Sequence, residues 1–219
     1  MYISHYGASR SVWLSPDIRF GRNRLLHMLI LGYAAFWAWM AVAPYNRFDW
    51  LLENLLIFVA VAVLTVTYPF FRFNNLAYAL IAVFLALHTY GASFSYNTTP
   101  IDMLMHRYFE LQRDMYDRVV HASYGLLLAY PLFQFMRRVV GLRGFWSYAL
   151  TVTTILATGA FYELIEMWVA NIVAPEIGVL FLGTQGDVWD SQHDMEVALY
   201  GAAVAMVITA LARAVRRLD

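Results

Sequence analysis

The chain has 219 residues, of which 61% are hydrophobic and 14% are charged, and its mean hydropathy is +0.55. Soluble domains carry about 25% charged residues, so this composition excludes an ordinary soluble domain and indicates an integral membrane protein. Its zero net charge does not favour a nucleic-acid partner, and the absence of cysteine and lysine excludes disulfides, thiolate metal sites and lysine-based catalysis.

Six apolar segments are predicted to be transmembrane helices. In chain order they cover residues 24–44, 50–70, 75–91, 117–136, 146–170 and 190–211. Each is close to the ~20 residues that cross the hydrocarbon layer, although the third is shorter. The sequence therefore predicts an all-α, polytopic membrane helix bundle over residues 24–211. A cytoplasmic N-terminal arm (residues 1–23) precedes this bundle, and a basic cytoplasmic tail (residues 212–219) follows it.

The arginines are distributed unevenly between the two ends of these segments. Eleven of the fifteen lie at one set of ends, and the other four are Arg47, Arg107, Arg113 and Arg118. The positive-inside rule predicts that the eleven-arginine face is cytoplasmic, with both termini on that side. Two longer segments, 92–116 and 171–189, are predicted to be loops on the opposite face. Because long loops usually carry functional residues, we expect the functional site on this non-cytoplasmic face.

Ionisable residues recur near the non-cytoplasmic end of three predicted helices. They are Asp117 and His121, then Glu163 and Glu166, then Asp187, Asp190 and Asp194. Spacings of three or four residues place the members of each set on one helix face. At ~1.5 Å per residue, His121, Glu163 and Asp194 lie at a similar depth, about 6–10 Å from their helix ends. Ionisable groups in a membrane cost a few kcal/mol unless they are paired, bind a metal or face water, so one shared site is predicted.

The residue types of this site suit a divalent metal ion, because crowded carboxylates cannot all ionise without a cation or shared protons. The predicted ligands are His121, Glu163, Glu166, Asp190 and Asp194. Asp187 or Asp117 is the predicted general base, and Arg113 and Arg118 are predicted to bind an anionic substrate.

Structural roles are the alternatives for several of these residues. Asp187 and Asp117 could instead cap helices, and the two arginines could extend to lipid headgroups. His88 is interpreted as a packing residue, and His193 lies off the acidic stripe of its helix.

Three motifs resemble the YjdF-type family of predicted bacterial inner-membrane proteins over roughly residues 72–211. They are Tyr116-Asp117-Arg118-x-x-His121, Phe161-Tyr162-Glu163-Leu164-Ile165-Glu166, and the stretch from Gly183 to Met195 with Gly186, Asp187, Trp189, Asp190, Gln192 and Asp194. The chain departs from the family pattern at Met167 and His193, where relatives tend to have tryptophan. The family has no known function, so the resemblance implies a multi-pass protein of the bacterial inner membrane and no particular reaction.

The leading hypothesis is a metal-dependent enzyme that acts at the outer leaflet on a lipid or headgroup-like substrate. One alternative is an accessory subunit or assembly factor of a larger membrane complex, with the polar cluster as a structural network. The other is a proton- or cation-coupled transporter, although no span is visibly broken at its centre. The expected partners are the lipid bilayer, a lipid substrate or a membrane-complex partner, and the sequence leaves open whether the chain is an enzyme.

Overall fold

The structure, a computed structural model, describes residues 12–111 and 113–218. In these residues the regular secondary structure is helical, which confirms the all-α prediction. After a short 3₁₀ turn at Phe20–Arg22, the helices are α1 (Arg24–Met40), α2 (Arg47–Thr67), α3 (Asn75–Ser93), α4 (Pro100–Tyr108), α5 (Tyr116–Arg138), α6 (Gly144–Ile172), α7 (Pro175–Leu182) and α8 (Asp190–Leu218).

Five described helices are long and apolar enough to cross a membrane: α2, α3, α5, α6 and α8. The apolar helix α1 has 17 residues, which is at the lower limit of about 17–25 residues for a spanning helix. A total of six spans and a cytoplasmic location of both termini therefore stay predictions. Helix α8 continues through residues 212–218, so the predicted basic tail extends this helix as far as the structure describes it.

The prediction of two long loops is wrong for residues 100–108 and 175–182, which form α4 and α7. Each short helix has local start signals. The Thr99 side chain caps α4 and Pro100 follows it, while Pro175 opens α7. Gly183, with φ of 61°, ends α7 in the left-handed conformation that glycine adopts without steric cost.

Helices α5 and α8 pack closely through small residues. A β-carbon on Gly125 would lie 2.8 Å from both the carbonyl carbon of Ala198 and the amide nitrogen of Ala202, and one on Gly201 would lie 2.8 Å from the amide nitrogen of Leu126. Only residues without a side chain allow two backbones to approach so closely, as in other small-residue contacts between membrane helices. This contact therefore fixes the separation of α5 and α8.

The two ends of the bundle differ in charge. The basic end carries Arg19, Arg22, Arg24, Arg72, Arg137, Arg138, Arg143 and Arg213. The acidic end carries Asp49, Glu53, Asp117, Glu163, Glu166, Asp187, Asp190 and Asp194. At the basic end, Arg138 donates to both carboxylate oxygens of Asp17 at 2.8 Å and to the carbonyl oxygen of Arg72 at 2.7 Å. These bonds connect the N-terminal segment and the α2–α3 turn to α5.

Candidate metal centre at the acidic end

An ion-pair network of two arginines forms the outer layer of the acidic end. The Arg118 guanidinium donates to Asp187 at 2.9 Å and Asp190 at 2.7 Å, and it lies 2.6 Å from Asp194. The Arg113 guanidinium donates to the same Asp190 oxygen at 2.6 Å and lies 3.3 Å from Asp187. Arg118 is only 8% exposed. The arginines predicted to bind substrate are therefore engaged with carboxylates of the chain itself, and their substrate role stays a prediction.

Asp187 lies in the turn before α8, where it is held by several donors. It accepts hydrogen bonds from the Trp189 amide at 2.9 Å and from His193 at 2.9 Å. These bonds and the nearby charges of His193 and Arg118 lower the pKa of Asp187 from 3.8 to about 2. A carboxylate with so low a pKa is a weak base. Of the two residues predicted as general base, this favours Asp117.

Arg113 stays cationic in this network. Partial burial lowers the pKa of the Arg113 guanidinium, but the hydrogen bond and charge of Asp190 outweigh that effect and raise it overall. The outer layer thus pairs two guanidinium groups with three carboxylates.

An inner layer lies next to this network, built by Asp117, His121 and Asp194. Each offers one ligand atom, and these atoms all lie within 4.8 Å of one another. Asp117 and His121 are one turn apart on α5, with 3.6 Å between the Asp117 carboxylate and His121 Nε2, while Asp194 comes from α8. His121 Nδ1 also lies 3.8 Å from Glu163 Oε1 on α6. Four side chains from three helices therefore converge.

One buried oxygen of this layer has no hydrogen-bond partner among the described residues. Glu163 is 8% exposed, yet its Oε1 accepts no hydrogen bond. Asp194 is 2% exposed, and its Oδ1 is paired with the Arg118 guanidinium at 2.6 Å. Leaving a buried polar atom unsatisfied costs about 1–3 kcal/mol, which a bound cation would remove. Carboxylates and an imidazole are ligands of Mn²⁺, Fe²⁺ and Zn²⁺, so the donor set fits a divalent metal ion.

The structure separates the five predicted ligands. His121 and Asp194 belong to the three-residue group, and Glu163 lies beside it. Asp190 is bound by two arginines, and Glu166 is half-buried one turn along α6 from Glu163. Asp117, predicted as a base, joins the group as a potential ligand. The metal role of Asp190 and Glu166 stays a prediction, and the geometry gives it less support.

A buried polar network that the sequence interpretation missed extends the site towards α2 and α3. Glu53 is 3% exposed, accepts a hydrogen bond from the Tyr162 hydroxyl at 3.2 Å and lies 3.8 Å from His88 Nε2. The Tyr96 hydroxyl bonds to His88 Nδ1. His88, interpreted as a packing residue, is buried and hydrogen-bonded. The missed signal was Asp49 and Glu53, which have the same four-residue spacing as Asp117 and His121.

Helix α4 positions the start of α5. The buried carboxylate of Asp102 accepts hydrogen bonds from the amides of Met115 at 2.7 Å and Tyr116 at 3.0 Å, and from the Thr99 hydroxyl at 2.6 Å. These amides have no partner within the helix because they belong to its first turn. Asp102 thus anchors the helix end that carries Asp117 and Arg118.

Comparisons with known proteins agree with this membrane architecture. A family model described as a predicted membrane protein (DUF2238) matches residues 25–215. The inner membrane protein YjdF of Escherichia coli (strain K12) is 31% identical over 170 residues, which are 77% of this chain and 81% of that relative. No solved structure matches the chain. The resemblance to the YjdF-type family and the predicted localisation in the bacterial inner membrane are confirmed.

Proposed function

The chain belongs to the DUF2238 family of predicted membrane proteins, and we propose that it is a metal-dependent membrane enzyme that acts on a lipid or headgroup-like substrate. Asp117, His121 and Asp194 would hold a divalent cation, with Glu163 as a fourth ligand. The observation that carries the proposal is the group of three ligand atoms within 4.8 Å, beside the buried, unpartnered Glu163 Oε1.

The charge balance of the site supports a bound cation. Arg113 and Arg118 form ion pairs with Asp187, Asp190 and Asp194, whereas Asp117 and Glu163 contact His121. The inner layer thus has more carboxylates than cationic partners for them. Crowded carboxylates are stable when they share protons or bind a cation, and an adjacent imidazole favours the cation.

The location of the site supports a substrate from the membrane interface. Asp190 and Asp194 are the first and fifth residues of α8, and Asp117 and His121 are the second and sixth of α5. At ~1.5 Å per residue these groups lie within about 8 Å of their helix ends, near the depth of lipid headgroups.

Within this site a divalent cation would supply a Lewis acid that polarises a phosphoryl or carbonyl oxygen. Arg113 and Arg118 would orient an anionic group through their guanidinium forks, provided that it displaced Asp187 or Asp190. In this arrangement Asp117 would serve as a ligand of the cation and not as the general base.

Metal analysis of the purified protein tests the proposal. Bound metal would be removed with a chelator, and the protein would be reconstituted separately with Mn²⁺, Fe²⁺, Zn²⁺ and Mg²⁺. After desalting, its metal content would be measured by inductively coupled plasma mass spectrometry. We expect about one equivalent of one of these metals in the wild type and a large loss in His121→Ala and Asp194→Asn. Glu176→Gln is the matched control, because Glu176 is an exposed carboxylate of α7 outside the group.

Less than about a tenth of an equivalent in the wild type, unchanged after reconstitution, would rule out the metal site. If metal binds, phosphorus NMR of phosphatidylglycerol and phosphatidylethanolamine vesicles then tests the reaction. We expect metal-dependent conversion of one lipid that is lost in His121→Ala. Metal binding without conversion of either lipid would contradict the proposed phospholipid reaction but not the proposed metal site.

A further inference from the structure

A buried carboxylate lies at the start of α2, outside the candidate metal centre. Asp49 is 1% exposed, and neither of its carboxylate oxygens has a hydrogen-bond partner among the described residues. Asp102 is buried to the same extent, yet its carboxylate accepts three hydrogen bonds. A buried charge without a partner is strongly unfavourable, so Asp49 needs a partner that these residues do not supply.

The polar groups next to Asp49 on α2 are bonded elsewhere. The Asn46 side-chain oxygen accepts hydrogen bonds from the amides of Phe48 at 3.0 Å and Asp49 at 3.1 Å. The Arg47 guanidinium donates to the Ala41 carbonyl oxygen at 2.7 Å. The Asp49 carboxylate therefore bonds neither to the first-turn amides that acidic residues often cap nor to the adjacent arginine.

A second buried polar group meets Asp49 from another element. Ser95 follows α3 and is 1% exposed, and its hydroxyl also has no aligned hydrogen-bond partner among the described residues. Ser95 is close enough to interact with the Asp49 carboxylate. Ser95 and Tyr96 both have left-handed backbones, with φ of 50° and 54°, which turn the chain back after α3. One hydroxyl can donate to only one oxygen, so at least one Asp49 oxygen keeps no donor.

The other polar residues near Asp49 do not provide a cation. Glu53, one turn further along α2, is itself acidic and accepts a hydrogen bond from the Tyr162 hydroxyl at 3.2 Å. His88 Nε2 bonds to the Glu53 carbonyl oxygen at 3.0 Å, and His88 Nδ1 bonds to the Tyr96 hydroxyl. Both ring nitrogens of His88 thus have partners. The charge of Asp49 is not balanced by any of these side chains.

We propose that Asp49 and Ser95 form a binding site for Na⁺. The carboxylate and the hydroxyl would supply side-chain oxygens, and main-chain carbonyls at the end of α3 would complete the shell, as helix C-terminal ends do in other membrane proteins. The cation would balance the charge of Asp49 and occupy its free lone pairs together. Protonation is the alternative, but it removes only the charge, because the added proton then needs an acceptor of its own.

The donor set favours Na⁺ over the metals expected at the candidate metal centre. Zn²⁺ and Fe²⁺ prefer sites with imidazole ligands, and the ring nitrogens of the nearby His88 are already bonded. Mg²⁺ usually keeps several waters, whereas the Asp49 oxygens are shielded from solvent. One carboxylate with neutral oxygens carries a single negative charge, which matches a monovalent cation. The site shares no ligand with Asp117, His121 and Asp194.

Sodium binding to the purified full-length protein tests the proposal. Protein in a neutral, sodium-free detergent buffer would be titrated with NaCl at constant ionic strength, with choline chloride as the balancing salt. Bound radioactive sodium and the melting temperature would be measured. We expect saturable binding of about one Na⁺ per chain and a melting temperature that rises by a few degrees, because a ligand of the folded state stabilises it.

Variants of the two proposed ligands locate the binding. Asp49→Ala should lose both the bound sodium and the rise in melting temperature, and Ser95→Ala should bind Na⁺ at least about tenfold more weakly. Glu176→Ala is the matched control, because it removes an exposed carboxylate of α7, and it should bind like the wild type. His121→Ala should also keep Na⁺ binding, since the proposal does not depend on the metal centre.

Several results would overturn the proposal. One is the absence of saturable sodium binding by the wild type. Another is an equal rise in melting temperature with KCl, which would indicate a general effect of alkali salts. Sodium binding that is unchanged in Asp49→Ala would place the cation elsewhere. If Asp49→Ala does not fold, unchanged affinity in Ser95→Ala would overturn the proposal in its place.

Discussion

The close contact between α5 and α8 predicts that Gly125→Ala disrupts the candidate metal centre from one turn away. Gly125 follows His121 by four residues, and Ala198 follows Asp194 by four residues. The backbone contact between Gly125 and Ala198 therefore lies directly beneath the pair of side chains that α5 and α8 contribute. A change in helix separation at Gly125 is transmitted to these ligand atoms.

The magnitude follows from the distances. The new β-carbon would lie 2.8 Å from the Ala198 carbonyl carbon, whereas carbon atoms pack at about 3.5–4.0 Å, so the helices must separate by about 1 Å. Functional sites tolerate displacements of about 0.5 Å, so metal binding should fall sharply. Overpacking lowers the stability of a protein by about 1–3 kcal/mol, and the better helix propensity of alanine restores about 1 kcal/mol. We therefore expect Gly125→Ala to lower the free energy of unfolding by up to about 2 kcal/mol.

The assay measures metal content and melting temperature on the same preparations. Gly32→Ala is the control, because nothing lies within 4 Å of a β-carbon at that position of α1. We expect Gly125→Ala to lose most of its metal and to melt a few degrees lower. Gly32→Ala should keep its metal and melt at or slightly above the wild-type temperature, because its gain in helix propensity is not offset by a clash. A Gly125→Ala protein with full metal content would refute the coupling between helix separation and the site.

Three further predictions concern the residues that hold the acidic end together. Arg118→Gln should lower the free energy of unfolding by about 3–5 kcal/mol, measured by thermal unfolding, because it leaves Asp190 and Asp194 without this buried partner. Arg118→Lys should restore only part of that stability. Asp102→Ala should cost about 1–3 kcal/mol and expose the α4–α5 connection to proteolysis, since amides at the start of α5 lose their acceptor. Asp187→Asn should melt below the wild type near neutral pH, and the difference should vanish as pH falls. Because folding lowers the pKa of Asp187 from 3.8 to about 2, its ionised carboxylate stabilises the folded state fully at pH values above 3.8. This stabilisation is lost as the pH falls through about 2.

Each of these three has a contrary outcome. Full recovery by Arg118→Lys would show that a point charge suffices at that position. Unchanged proteolysis of Asp102→Ala would mean that the start of α5 is held by other contacts. A melting difference for Asp187→Asn that is constant between pH 6 and pH 2.5 would mean that its stabilising effect does not depend on ionisation.

The positions of the main helices follow from features visible in the sequence. Long apolar segments predict spanning helices because the hydrocarbon layer requires about 20 apolar residues. The i, i+4 spacing of Asp117 and His121 places them on one face whatever the tertiary structure. The convergence of α5, α6 and α8 was inferred from equal depth alone, and the structure brings His121, Glu163 and Asp194 together as that inference requires.

Other features depend on tertiary contacts that apolar periodicity does not encode. Helices α4 and α7 are short and start at local signals, so a search for spans of about 20 residues overlooks them. The choice of partners is also tertiary. Arg113 and Arg118 could have faced headgroups or a substrate, and only the packing of α5 against α8 directs them to Asp190. The four-residue spacing of Asp49 and Glu53 is visible in the sequence, but it does not identify the partners Tyr162 and His88 on other helices.

The distribution of the acidic site along the chain has a consequence for biosynthesis. Arg118 leaves the ribosome some seventy residues before Asp187, Asp190 and Asp194, the carboxylates that neutralise it. Arg118 is the third residue of α5, so until α8 is made its guanidinium has to stay hydrated in the headgroup layer without these carboxylates. Helix α8 and the turn before it thus complete both the charge balance and the group of ligand atoms, and a message cut short before Asp187 would yield a product in which Arg118 lacks all three carboxylates.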